Sequence, residues 1–459
     1  MDKISRFKIS AAHLIPISFM LVILSGTILL MLPIATSRGN DTGVLTALFT
    51  ATTSVCVTGL VVVDTYAHWS LFGQIVILLL VQIGGLGVVA VATMVMVLGR
   101  RKISFGERVL LKESLNFDSN RGLLHFLKCS FKGVFLMEGI GAVLFSIRFI
   151  PQLGLEKGIW ASVFQSVSAF CNAGMDVIGP DSMMDPVCQD SVLVMFVTMG
   201  LIVMGGIGFV VWLEVFDGLK NALYYRYSPV RVLVRLSEHT KLVLVVTFAM
   251  ILFGTLSVLA AEYHNPATLG HMELSRKIIN SLFQSVTFRT AGFASVPQNE
   301  LREVSCFIGC ILMFIGGSPV GTAGGIKTVT AALFFMNALS YSTNQRDTVI
   351  FQRRVSTEMM RKASAIVFVS LVALFVMTIL LLSRGGIALT DALYEVTSAL
   401  GTVGLSRNLT PRLDDIGRII IITSMYLGRI GPISLAFFLS DTSGSGSKIR
   451  YSTGKFYVG

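Results

Sequence analysis

The stretch FQSVTFRTAGF at residues 283–293 decides how the chain reads. It opens on an aromatic residue, runs through Ser and Thr, and closes on a glycine followed by an apolar residue. Three more stretches share the form: FTATTSVCVTGL at 49–60, FQSVSAFCNAGM at 164–175 and YEVTSALGTVGL at 394–405. Their glycines, Gly59, Gly174, Gly292 and Gly404, are 115, 118 and 112 residues apart, and so constant a period is a repeat signal. A second motif recurs in phase: IGGLG at 83–87, MGGIG at 204–208, IGGSP at 315–319 and LGRIG at 427–431. Its first glycines, Gly84, Gly205, Gly316 and Gly428, follow the loop glycines by 25, 31, 24 and 24 residues. Two motifs matched four times at similar offsets are not a chance pattern.

The surroundings of these stretches are hydrocarbon-like. Of 459 residues, 53% are hydrophobic and 14% charged, against about 25% charged in a soluble domain. Residues 12–35, 70–99, 191–213, 241–261, 363–383 and 416–440 form apolar runs, each near the roughly 20 residues that cross a bilayer. The glycine-ended stretches are too short to cross and read as re-entrant pore helices with a loop. The expected fold is an all-α polytopic membrane protein. Four pseudo-symmetric repeats of span, pore helix, filter loop and span give eight transmembrane helices around a central pore. The boundaries fall at 1–99 for repeat 1, 100–217 for a basic linker and repeat 2, and 218–339 for a linker and repeat 3. Residues 340–440 hold a linker and repeat 4, and 441–459 a C-terminal tail.

Net charge is +11, yet 24 of the 37 Lys and Arg fall in five segments, 1–11, 100–132, 220–241, 346–362 and 448–455. Basic segments alternating with acidic loops follow the positive-inside pattern, which places both termini and the linkers in the cytoplasm. The charge therefore reads as contact with a lipid membrane, and no nucleic acid partner is expected. The linkers at 100–128, 218–240 and 340–362 are expected to be partly helical, and no cleavable signal peptide is expected. The six cysteines form no CxxC pair and the six histidines no ligand spacing.

Irregular backbone at membrane depth is tolerated only where it lines a watery cavity or is buried in protein. Four such loops around an axis turn carbonyl oxygens inward, where they replace the water shell of a cation. Glycine suits the turn because it accepts positive φ and leaves the path open. A pore helix running inward also aims its negative C-terminal end at the cation. The candidate selectivity filter is Val57, Thr58 and Gly59; Asn172, Ala173 and Gly174; Thr290, Ala291 and Gly292; and Thr402, Val403 and Gly404. In IGGLG and MGGIG, packing or kinking of a span is the default reading.

The third repeat departs from the pattern. IGGSPVGTAGGIKT at 315–328 puts five glycines and a proline where a span should run, so the helix is expected to break. Its Gly316, Gly317, Ser318, Gly321, Thr322, Ala323, Gly324 and Gly325 form a candidate gating loop, with Lys327 marking its cytoplasmic end. The fourth repeat places Arg429 where the others have Gly85, Gly206 and Gly317. A guanidinium at that depth is costly and is expected to repel a cation and hold the gate through backbone carbonyls. The alternative is an ion pair with an acid such as Glu138. Arg289 is expected to support the filter through hydrogen bonds to loop carbonyls. Asp64 and Asp176 lie just past two loop glycines and are each read as solvated loop residues in an acidic vestibule.

The strings VCVTGL, CNAGM, RTAGF, GTVGL, GGSPVGTAGGIKT and LGRIGP together resemble the Trk/Ktr/HKT superfamily of potassium transporters. The resemblance covers the whole chain, and its short N-terminus and C-terminal ending are similar to the bacterial KtrB-type membrane subunit. It implies uptake of potassium, stimulated by sodium as an activator in many members, by a homodimer with one pore per protomer. It implies a KtrA-like cytoplasmic regulatory ring binding ATP or ADP, so nucleotides enter only through a partner subunit. The selectivity glycines of the family map onto Gly59, Gly174, Gly292 and Gly404, its intramembrane gating loop onto 316–328 and its pore-blocking arginine onto Arg429. Gly59 favours potassium, because plant relatives with serine there prefer sodium. Met175 stands where many relatives have phenylalanine, and the tail ending Tyr457-Val458-Gly459 looks like a contact to the ring. Sodium-permeable or sodium- or proton-coupled cation transport on the same architecture is the alternative. A carrier of a small organic solute would need a pocket with titratable or aromatic groups, where these loops offer Ser, Thr, Ala and Gly. No enzyme is expected, since the spans hold no Ser/His pair, HExxH or paired aspartates.

Overall fold

A computed structural model describes residues 11–37, 42–99, 105–114, 122–179, 182–189, 191–226, 228–345 and 347–431. Residues 432–440 of the last expected span and the tail at 441–459 lie outside the described residues. Among the described residues, four helices are long and apolar enough to cross a membrane: His13–Leu30, Leu123–Leu153, Glu238–Glu262 and Thr357–Leu382. Two more are bent pairs, Leu71–Leu86 with Val88–Leu98 at 99° and Val192–Gly206 with Phe209–Tyr224 at 104°. The chain is thus a mostly helical, multi-pass membrane protein. Leu123–Leu153, at 31 residues, is not among the six apolar runs, because Lys128, Lys132, Glu138 and Arg148 interrupt its pattern. Glu138 faces protein and is buried, which a run of hydropathy does not register.

The linkers hold the helices Phe105–Ser114 and Pro229–Arg235. Between Thr328–Ser342 and Thr357–Leu382 the chain instead forms a small antiparallel hairpin, with Val349 opposite Arg354 and Ile350 opposite Arg353.

The four glycine-ended stretches contain the helices Val44–Cys56, Leu155–Cys171, Leu274–Thr287 and Leu389–Gly401. At 13, 17, 14 and 13 residues they are longer than the 10 to 12 expected of them. Three end on a non-glycine residue in the left-handed region: Val57 at φ 54°, Asn172 at φ 61° and Thr402 at φ 50°. The third stretch is one residue shorter between its aromatic and its glycine. Its left-handed residue, Thr290 at φ 68°, lies beyond the helix end.

Hydroxyls in the last turns explain the Ser and Thr content. Thr53 Oγ1 accepts from Gly59 N at 2.9 Å, Ser168 Oγ from Met175 N at 3.2 Å, and Ser398 Oγ from Gly404 N at 3.0 Å. Thr287 Oγ1 donates to Phe293 O at 2.7 Å in the third copy. Each bond ties a loop, which has no helical partners, back to its own helix.

The second motif packs against these helix ends. A Cβ added at Gly84, Gly205 or Gly428 would strike the carbonyl oxygen of Val55, Phe170 or Leu400, in each case four residues before a loop glycine. Helix and span approach so closely that only hydrogen fits. The same motif also bends the spans, at Gly87 with φ 90° and Gly208 with φ 95°. In the third repeat the helix Glu303–Phe314 stops, and helix resumes only at Thr328.

One buried carboxylate ties the loop after Glu238–Glu262 to the start of the helix Glu303–Phe314. Glu262 accepts from Asn265 Nδ2 at 2.6 Å, Thr268 Oγ1 at 2.8 Å, Arg302 N at 3.0 Å and Ser305 Oγ at 2.5 Å. Removing it leaves buried donors without an acceptor, at a cost of about 2–4 kcal/mol. Glu262→Ala is therefore expected to lower the thermal unfolding midpoint in detergent by several degrees. An unchanged midpoint contradicts this.

Candidate functional site

The four loop glycines lie side by side. Gly59, Gly174, Gly292 and Gly404 all have positive φ, at 96°, 66°, 83° and 96°. Each backbone is pressed against the next loop. A Cβ on Gly59 would strike Ala173 O, one on Gly174 would meet Ala291 O at 2.7 Å, one on Gly292 would meet Val403 O at 2.5 Å, and one on Gly404 would strike Thr58 O. The series closes on itself, so the order is loop one, two, three, four and back to one. In every case the contact is the carbonyl of the residue just before the neighbouring glycine. The structure therefore brings together all twelve residues read from the sequence as a filter. Its non-glycine members are buried, and among their side chains the Thr58 and Thr402 hydroxyls have no hydrogen-bond partner.

Behind the second loop, Asp176 is 8% exposed, so it is not the solvated loop residue expected. Its carboxylate accepts from the Ser182 hydroxyl and from Ile178 N. Burial raises its pKa to about 6, against the pull of those two hydrogen bonds, and Asp64 and Asp185 nearby push the same way. Asp64 accepts from Ala67 N at 2.6 Å and caps the short helix Thr65–His68.

The broken segment of the third repeat folds against the ring. A Cβ at Gly316 would meet Gly324 O and Thr290 Cγ2, and one at Gly324 would meet the Thr402 hydroxyl and Gly401 O. Ile326 N donates to Phe314 O at 3.1 Å and Thr328 N to Gly317 O at 3.0 Å, closing the segment on itself. It also bonds to the second repeat: Ser318 N to Gly206 O at 2.8 Å, Thr322 N to Gly205 O at 3.1 Å, and Thr322 Oγ1 to Phe170 O at 3.2 Å. In return, Phe209 N donates to Val320 O at 2.9 Å.

Arg429 joins the fourth repeat to this assembly. Nη1 donates to Thr322 O at 2.5 Å, while Nη2 donates to Gly84 O and to Gly85 O at 3.4 Å. No ion pair with Glu138 forms. That carboxylate accepts from Gln82 Nε2 at 3.1 Å. Lys327 Nζ donates back to Ala323 O at 2.6 Å. A cavity of about 350 Å³ adjoins the segment, lined among others by Gly324, Gly325, Lys327, Lys362 and Arg429.

Arg289 is a correction. Its guanidinium makes no hydrogen bond to a loop carbonyl among the described residues, and its Nε is buried without a partner. The helix before it ends at Thr287, and the side chain lies beside Ile202, Gly206 and Gly317, behind the broken segment. The last-turn hydroxyls of Thr53, Ser168, Thr287 and Ser398 and the carbonyls of Gly84, Gly205 and Gly206 were not read as site groups. The in-phase recurrence of both motifs was the available signal.

Residues 7–449 match the TrkH family, described as cation transport protein. The chain is 38% identical to Ktr system potassium uptake protein B of Bacillus subtilis, over 100% of this chain and 99% of that protein. It is 36% identical to the potassium/sodium uptake protein NtpJ of Enterococcus hirae, over 96% of this chain and 95% of that one. The crystal structure of the potassium transporter TrkH from Vibrio parahaemolyticus superposes with a TM-score of 0.72 at 15% identity, covering 95% of this chain and 86% of that chain.

The buried Asp176 makes stability depend on pH. Its folded pKa of about 6 exceeds the unfolded value of 3.8, so between those values the folded state keeps a proton the unfolded chain has lost. This contribution to stability therefore rises as pH falls from above 6 toward 4. Comparing thermal midpoints at pH 7.5 and 5, wild type should gain stability relative to Asp176→Asn at the lower pH. A constant difference contradicts the assignment.

Proposed function

The chain belongs to the TrkH family of cation transport proteins, and from that footing we propose that it takes up potassium across the cell membrane through a pore ringed by its four glycine loops. The observation that carries this reading is the closed contact of Gly59, Gly174, Gly292 and Gly404, each against the carbonyl of its neighbour. Four loops packed glycine against main-chain oxygen suit a dehydrated monovalent cation, which such oxygens can coordinate. The four helices aimed at it add the negative ends of their dipoles. In this reading the fold is four repeats of span, pore helix, loop and span.

Residues 316–325 act as the gate. They are held closed by Arg429, whose charge opposes a cation while its hydrogen bonds fix Thr322 O. Arg429 has no carboxylate partner among the described residues, so its charge stands against an approaching ion. The relatives named as components of Ktr systems support work with partner subunits; in this reading the partner is a nucleotide-binding cytoplasmic ring and the chain forms a homodimer of pores. Basic linkers on the cytoplasmic side suit that arrangement. Sodium entry through the same ring is the second reading, favoured by the relative named for both ions.

Potassium uptake in a transport-deficient cell tests the proposal. Gly292→Ser places a side chain on Val403 O at a positive φ and is expected to weaken apparent potassium affinity by about tenfold, equivalent to about 1.4 kcal/mol of binding. Arg429→Ala is expected to raise flux. Wild-type behaviour in both variants contradicts the roles, and sodium uptake matching potassium uptake favours the second reading.

A further inference from the structure

A helix that bends sharply leaves backbone groups without partners. In a continuous helix, Phe209 N would donate to Gly205 O and Val210 N to Gly206 O, because each amide bonds four residues back. The 104° bend between Val192–Gly206 and Phe209–Tyr224 separates those groups. The carbonyls of Gly205 and Gly206 and the amide of Phe209 must then find partners elsewhere. All three find them in the broken segment of the third repeat. Thr322 N donates to Gly205 O at 3.1 Å, Ser318 N to Gly206 O at 2.8 Å, and Phe209 N to Val320 O at 2.9 Å. Of the groups the bend releases, two acceptors and one donor meet two donors and one acceptor of the non-helical segment.

We infer that this bend is the seat of the gate: Gly205, Gly206 and Phe209 are positioning residues, and straightening the helix ejects the segment. The straight helix and the seated segment compete for the same three backbone groups, so they exclude each other. That makes the pair a two-state element, in which one partner cannot move partway without stranding polar groups out of water. Gly208 is the pivot. Its φ of 95° is open to glycine, and a Cβ there would strike Pro319 O, so the bend and the seated segment both depend on its lacking a side chain. The seated segment adds one side-chain bond, from the Thr322 hydroxyl to Phe170 O next to the second filter loop. Movement of the segment is thereby felt at the ring. The lower helix ends in exposed Leu223, Tyr224 and Tyr225, a handle through which force on the helix would reach the seat.

This inference rests on the gate reading above, and the test separates the two. Spin labels at Val192→Cys and Leu223→Cys, both exposed, in a Cys129→Ser background report the bend by pulsed dipolar spectroscopy. From helix rise, the span between them is about 28 Å bent and about 46 Å straight, before label length. Potassium flux is measured on the same variants. Arg429→Ala is expected to raise flux and shift the distance toward the long value. Gly208→Ala, which disfavours the bend and favours helix, is expected to do the same without any change at Arg429, and combining the two should give no further rise. Raised flux in Arg429→Ala with the distance still short overturns the inference and leaves the gate reading standing. A long distance in Gly208→Ala with flux at the wild-type level overturns it as well. Wild-type flux in Arg429→Ala removes the gate reading and the inference with it.

Discussion

Every backbone amide and carbonyl removed from water must be satisfied by protein, and in this chain the groups released by irregular segments satisfy one another. Helices would meet the requirement alone. Among the described residues the four loops bond back to hydroxyls of their own helices, while the two bends and the broken segment pair freed groups across repeats. The glycine ring sets how closely these pairings can be made. With a Cβ at any of its four positions the loops would have to separate.

The ring explains the rest of the packing. Short helices must point their ends at a common centre, so the spans beside them carry glycines where carbonyls approach, at Gly84, Gly205 and Gly428. Those glycine pairs also weaken the spans as helices, which is why two of them bend there. The carbonyls of Gly84 and Gly85 in the first repeat are taken by Arg429, and those of Gly205 and Gly206 in the second by the broken segment. Equivalent positions in two repeats thus hold Arg429 and the broken segment. The Arg429 guanidinium has carbonyls for partners and so keeps its field.

Much of this was legible in the chain. The glycine spacing and the in-phase second motif gave the repeats, and the proline and five glycines after Ile315 gave the broken segment. Arg429 stood out because it replaces glycine. What was not legible depends on three-dimensional partners. Leu123–Leu153 was obscured by charges that are acceptable where the helix faces protein or its end. Asp176 looks like any loop acid until the fold closes over it. Arg289 sits between Phe288 and Thr290, next to the ring in sequence, yet its side chain lies beside Gly206 and Gly317. Kinking was foreseen for the second motif, but the partners of the freed carbonyls come from another repeat, about a hundred residues away, where no local pattern reaches.

The central claim is that main-chain oxygens of the four loops surround one ion. Crystals grown with rubidium or thallium in place of potassium test it through anomalous scattering. The account predicts a peak on the axis shared by residues 57–59, 172–174, 290–292 and 402–404, at coordination distance from oxygens of all four loops. A well-diffracting crystal whose only strong cation peaks lie away from that axis would contradict it.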